Sequence, residues 1–176
     1  MKHRTFAAFV LLVALVIPAT SAAADSTDTS ARAANRCVLQ ITGQRADGEF
    51  ITDGLTCFTT LGAALSSLGV DVDAASDPSV PEAIGAGLFS TLSTIGIHYD
   101  GLNKTGASIT VSGGACTGGW LNLAAAWVDR ISSTANGCPT IRHFDGYGLT
   151  GVSQDTTFST HNLTTLNNLP NSIQYM

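Results

Sequence analysis

His98-Tyr-Asp-Gly-Leu-Asn-Lys-Thr-Gly-Ala-Ser108 returns 45 residues later as His143-Phe-Asp-Gly-Tyr-Gly-Leu-Thr-Gly-Val-Ser153. Six of the 11 positions are identical (His, Asp, Gly, Thr, Gly and Ser), and an aromatic follows His in both copies. The second halves also correspond. Asn122-Leu123 matches Asn162-Leu163, and Trp127 to Ser133 matches Leu166 to Ser172, at an offset near 40. A repeat of about 40 residues has the size of a four-strand Greek key. Two such keys pack face to face as a sandwich around one core.

Upstream of the repeat the texture differs. Arg36–Thr42 and Glu49–Thr52 read as strands, with Gly43, Asp47-Gly48 and Asp53-Gly54 as turns between and after them. Thr59 to Leu68 has helical spacing, with Leu61, Leu65 and Leu68 on one face. Asp71 to Pro81 reads as an acidic loop, and Val80 to Leu92 as a second, weaker helix, because Gly85 and Gly87 lower helix propensity. The expected organisation is a small α+β region over 25–93, with residues 25–35 a flexible leader, and a β domain over 94–176.

The first 24 residues read as an export signal. Lys2, His3 and Arg4 precede an apolar run from Phe6 to Ile17. Pro18 and small residues ending Ala22-Ala23-Ala24 follow. The run is too short for a membrane span, and no later segment reaches the ~18 apolar residues a span needs. The expected product is therefore secreted and leaves the membrane after cleavage.

Composition excludes several classes. The 176-residue chain has a net charge of −5, 12% charged and 44% hydrophobic residues, and 18 Gly. Enough apolar residues are present for a core, which argues against disorder. Eight Lys and Arg against 13 Asp and Glu form no basic stripe for nucleic acid. Without Lys2 and Arg4 the exported part has six basic and 13 acidic residues, a charge of −7.

Four cysteines, Cys37, Cys57, Cys116 and Cys138, lie after the signal. An even count in an exported chain points to two disulfides. Three pairings are open. Cys37–Cys57 with Cys116–Cys138 is favoured, since each bridge stays within one region as if pinning two separate units. Each would close a loop worth roughly 3 kcal/mol by chain entropy. No C-x-x-C occurs, which disfavours zinc.

The repeat resembles the βγ-crystallin family. That family's signature is an aromatic, four residues, an aromatic, one residue and Gly. Tyr99-x4-Lys104-x-Gly106 and Phe144-x4-Leu149-x-Gly151 keep the first aromatic and the Gly, while Lys104 and Leu149 replace the second aromatic. The resemblance implies a mainly β chain end: two Greek-key motifs in a βγ-crystallin-like sandwich after the small α+β region. Microbial members also carry a calcium motif, [N/D]-[N/D]-x-x-[S/T]-S. Here the copies are Val128-Asp129-Arg130-Ile131-Ser132-Ser133 and Asn167-Asn168-Leu169-Pro170-Asn171-Ser172. Val128 and Asn171 depart from the pattern.

The resemblance implies that Ser132 and the Arg130 carbonyl work with Asp145, and Asn171 and the Leu169 carbonyl with Asp100. All are hard oxygen donors suited to Ca²⁺, and one carboxylate per site implies weak affinity, ~10⁻⁴ M or poorer. The same Ser and Asn types also cap turns without a metal.

The resemblance extends to the secreted I36 peptidase inhibitors, whose partner is an extracellular protease. The exposed stretch Gly113 to Gly119 beside Cys116 is the loop to examine for that role. No nucleophile elbow, metalloprotease helix, P-loop or dinucleotide motif occurs. Only two Glu are present, Glu49 and Glu82. His98 and His143 hold equivalent repeat positions, which favours a structural role over acid–base work. Trp120 and Trp127 suggest core packing first and a carbohydrate-stacking face second. The expectation is a secreted, non-enzymatic binding or structural module with weak calcium sites; the alternative is a peptidase inhibitor.

Overall fold

The computed structural model describes residues 36–73 and 94–176. The expected signal (1–24), leader (25–35) and second helix (80–92) lie outside the described residues. Ten elements follow in order: β1 (Arg36–Gln44), β2 (Phe50–Phe58), α1 (Leu61–Ser67), β3 (Thr94–Tyr99), β4 (Ser108–Ser112), β5 (Gly119–Asn122), β6 (Ser133–Asn136), β7 (Thr140–Phe144), β8 (Ser153–Thr157) and β9 (Ser172–Tyr175). They form two sheets, β2-β1-β4-β3-β6 and β5-β9-β7-β8.

Each repeat is a Greek key that lends its third strand to the other key's sheet. In the first key β3 and β4 pair, β5 crosses to lie beside β9 of the second key, and β6 returns beside β3. In the second key β7 and β8 pair, residues around Asn162 cross to Ser133 of β6, and β9 returns beside β7. The exchange is two-fold in its details. Leu123 N donates to Asn171 O at 2.9 Å, and Leu163 N donates to Ser132 O at 2.8 Å.

The expected N-terminal unit is not pinned apart from this sandwich. β1 pairs in parallel with β4, Arg36 to Gln40 against Ser108 to Ser112, so the β1–β2 hairpin extends the first key's sheet. Cys37, Leu39, Ile41 and Phe50 share one core cluster with Ile109, Val111, Leu121, Trp127, Ile141 and Tyr175. The favoured pairing of the cysteines is the one found, Cys37–Cys57 and Cys116–Cys138. Cys37 stands directly opposite Cys57 in the hairpin register.

β2 runs through Asp53-Gly54, which the sequence marks as a turn. Leu39 pairs with Leu55 but Ile41 with Thr52, so Asp53 and Gly54 together face Gln40 as a bulge. Gly54 absorbs the extra residue at φ 92°.

The first helix forms close to where its periodicity places it. The Thr60 hydroxyl caps it by accepting from Ala63 N at 3.1 Å. Leu61 and Leu65 pack with Ile97, Tyr99 and Ala135 on the outer face of the first sheet. That second layer explains why β3, β4 and β6 are buried at every position, while β7 alternates between buried and half-buried. Leu68, expected on the same face, is the C-cap and only half-buried.

The repeated histidines meet in the core. His98 and His143 are fully buried with ring centroids 5.4 Å apart, edge to face. The Thr134 hydroxyl sits between them, 3.1 Å from His98 Nδ1 and 3.1 Å from His143 Nε2. His98 Nε2 lies 2.8 Å from the Tyr175 hydroxyl. Burial, then the neighbouring His143, pushes the His98 pKa well down. Burial pushes His143 down to about 4, against the weaker pull of the Gln154 backbone and Asp155. No hydrogen-bond partner of good geometry reaches His143 Nδ1.

Both rings are therefore neutral in the folded protein at neutral pH. The unfolded chain takes up these protons near pH 6.5, and folded His143 does so only near pH 4. Stability is full above pH 6.5 and falls as pH drops toward 4, by about 3 kcal/mol for His143 alone. Urea denaturation at pH 7 and pH 4.5 measures the loss. His143→Gln flattens the dependence, and an unchanged slope in that variant would place the titration elsewhere.

Candidate functional site

The chemistry-bearing residues of the two repeats gather where the keys meet. Each folded hairpin is built the same way. After β3 the chain turns through Asp100 to Gly106, with Asn103 already left-handed at φ 55°; after β7 it turns through Asp145 to Gly151. Lys104 and Leu149 take left-handed φ of 63° and 62°, and Gly106 and Gly151 follow at 80° and 83°. A Cβ on Gly106 would overlap Asp100 Oδ1, and one on Gly151 would overlap Asp145 Oδ1. The signature glycine is thus required both by its backbone angle and by the carboxylate folded over it. In the second key that carboxylate accepts from Val152 N at 2.7 Å.

The sixth motif position fastens the hairpin. Ser133 Oγ donates to Gly101 O at 2.6 Å and accepts from Lys104 N at 2.9 Å. Ser172 Oγ does the same with Gly146 O at 2.6 Å and Leu149 N at 3.1 Å. Asn162 Oδ1 and Asn122 Oδ1 complete the pattern, accepting from Asn103 N and Gly148 N at 2.8 Å each.

The expected ligand residues are brought together, but in different groups. Ser132 meets Asp100 of its own hairpin, not Asp145. Its hydroxyl lies 2.9 Å from Asp100 O and 2.9 Å from Asn168 Oδ1. Asn171 meets Asp145, not Asp100. Its Nδ2 donates to Asp145 O and lies 3.3 Å from both Leu169 O and Asp129 Oδ1. Each motif therefore folds back on its own hairpin, through that hairpin's backbone carbonyl, because the strand following the motif pairs beside it. Arg130, expected to contribute its carbonyl, reaches the first hairpin with its guanidinium, 2.9 Å from Asp100 Oδ2.

The residue that crosses between keys is the second of each motif, Asp129 or Asn168. Both take left-handed φ, 54° and 58°, which Asp and Asn tolerate best among residues with a Cβ. Asp129 N donates to Pro170 O at 3.1 Å and Asn168 N to Ile131 O at 2.9 Å. The motif loops thus lie against each other, and each delivers one oxygen to the other's site. The polar second position was visible in both motifs, but its direction across the two-fold was not.

Two oxygen clusters result. In the first, one Ser132 proton serves two acceptor oxygens. In the second, three oxygens converge on the tip of Asn171, while its own Oδ1 is buried without a hydrogen-bond partner. A half-turn of the amide would exchange Oδ1 and Nδ2 and set an amide oxygen among the other three. The donors are carbonyl, amide and carboxylate oxygens, the hard set that Ca²⁺ takes. Among the described residues no three His, Cys, Asp or Glu side chains cluster as a metal site, so backbone and amide oxygens carry most of the donor set.

The other singled-out residues have structural places. Trp127 is core, and half-buried Trp120 donates from Nε1 to Asp47 O at 3.2 Å, joining the second sheet to the N-terminal hairpin. The Gly113 to Gly119 stretch is exposed at Ala115, Cys116 and Thr117. It is held by the disulfide to Cys138 and by Gly114 and Gly119, which pack on Ile41 and Phe50.

No protein-family model matches the chain, and no curated protein matches it. Among solved structures it is similar to a βγ-crystallin from an archaeon, at 17% identity over 47% of this chain and 98% of that one, with a TM-score of 0.38. The arrangement described above, two Greek keys exchanging their third strands, is βγ-crystallin-like in its own right.

Alanine at Gly151 separates the two roles of that glycine. Gly54 has the same sign of φ with nothing within 4 Å of a Cβ. Gly54→Ala should cost about 1–2 kcal/mol, the left-handed penalty alone. Gly151→Ala should cost more, because Asp145 must also leave its place. Urea denaturation of the two variants compares them, and equal losses would remove the carboxylate from the explanation.

Proposed function

We propose that the protein is a secreted, non-enzymatic βγ-crystallin-like module that binds Ca²⁺ weakly where its two keys meet. One observation carries the reading: three oxygens from both keys converge on Asn171, whose own Oδ1 is buried and unpartnered. Without an ion the amide hydrogens hold those oxygens together, at the cost of one orphaned acceptor. With an ion, the flipped amide brings its oxygen into the donor set, and Nδ2 takes the buried place that Oδ1 held. The two disulfides support an exported setting.

Because the donors come from both keys, the ion would tie the halves together, and its effect would appear as stability. Few carboxylates point to a dissociation constant of ~10⁻⁴ M or weaker. At a hundredfold excess over that constant, binding adds about 2.7 kcal/mol. Calorimetric titration and thermal unfolding of the disulfide-bonded protein, with Ca²⁺ up to about 10 mM, test this. Saturable heat and a rise in Tm are expected. Neither heat nor shift at that concentration would sink the reading.

A further inference from the structure

The duplication offers two sites, but the two are not equivalent. At the third motif position the first repeat has Arg130 and the second has Leu169. Arg130 is fixed on three sides. Its Nη2 lies 2.9 Å from Asp100 Oδ2, its Nη1 donates to Ala126 O at 3.1 Å, and its guanidinium sits over the Trp127 ring, 4.7 Å from the centroid. Both partners of the ion pair are largely shielded, with side-chain exposures of 23% and 26%. Leu169 is exposed, apolar and brings no charge.

The crossing residues add to the difference. The first site receives the neutral amide of Asn168, and the second receives the carboxylate of Asp129. The first site therefore holds one carboxylate already neutralised by a guanidinium. The second has the Asp129 carboxylate and the Asp145 carbonyl at Asn171, with the Asp145 carboxylate folded over Gly151 and accepting from Val152 N; among the described residues no cationic side chain meets either carboxylate.

We propose that Arg130 is a built-in cation at the first-key site, so that the protein takes one Ca²⁺, at the second-key site, instead of the two its duplication would allow. The inference rests on the calcium reading above. The guanidinium does at Asp100 what an ion would do there: it balances the carboxylate and braces the hairpin against the Trp127 turn. A divalent cation entering that site meets a positive charge that packing and three contacts hold in place. The second site has no such occupant, and its donors close only when the Asn171 amide turns.

Ca²⁺ is titrated calorimetrically into the full disulfide-bonded protein and into Arg130→Gln, Arg130→Met, Arg130→Lys and Asp129→Asn, with Tm measured in chelator and in Ca²⁺. The expected stoichiometry is one for the parent and for Arg130→Lys, and two for Arg130→Gln. Arg130→Met keeps the stem over Trp127 and serves as the second charge-free variant. Without Ca²⁺ the charge-free variants should melt below the parent, and Ca²⁺ should restore them. Asp129→Asn, which leaves the second site a neutral crossing amide like that of the first, should weaken the parent's binding without abolishing it.

Two ions in the parent would overturn the inference while leaving the calcium reading intact. One ion in the parent and still one in both charge-free variants would also overturn it. No ion in any protein would remove the calcium reading itself, and the inference with it. No ion in the parent but one in the charge-free variants would uphold Arg130 and overturn the second-key site.

Discussion

The backbone bonds with which each key completes the other's sheet govern the rest of this molecule. Leu123 N reaches Asn171 O and Leu163 N reaches Ser132 O, so neither repeat can finish its own sheet. Because β5 lies beside β9 and residue 162 beside β6, the two halves must share one core. That sharing brings His98 and His143 within one hydroxyl of each other and buries Trp127, Ile141 and Tyr175 in a single cluster. It also sets the two motif loops side by side, which is the condition for any oxygen to pass from one repeat to the other.

The N-terminal hairpin uses the same logic at a sheet edge. β4 would otherwise present unpaired backbone groups, and β1 covers them in parallel register. The Cys37–Cys57 bridge closes the far end of the hairpin, and Trp120 ties Asp47 to the opposite sheet. α1 then buries the outer face of the first sheet, a layer the second sheet lacks among the described residues. The first sheet is thus covered on both faces, and the symmetry of the duplicated halves is broken by what precedes them. Arg130 breaks it a second time at the oxygen clusters.

Much of this is legible in the chain. An internal repeat with fixed His, Asp, Gly and Ser positions implies two equal hairpins, because the same local constraints recur: a left-handed glycine under a carboxylate and a serine fastening the turn. The helix at 61–67 follows from leucine spacing, and the cysteine pairs follow from their regions. The bulge at Asp53-Gly54 was not legible, since Gly after Asp has the same local meaning in a turn and in a bulged strand. Nor was the joining of β1 to β4, since strand pairing between distant segments leaves no local signal.

The candidate site divides along the same line. The sequence by itself determined which residues carry oxygen and that they come in two copies. The tertiary structure alone decided how they are grouped: Ser132 with Asp100 and Asn168, Asn171 with Asp145 and Asp129. It also decided that Arg130 enters by its guanidinium. The reason is physical: residue type and backbone preference are local, whereas which hairpin a motif faces depends on strand order across two sheets. That order is fixed only when both halves close on one core.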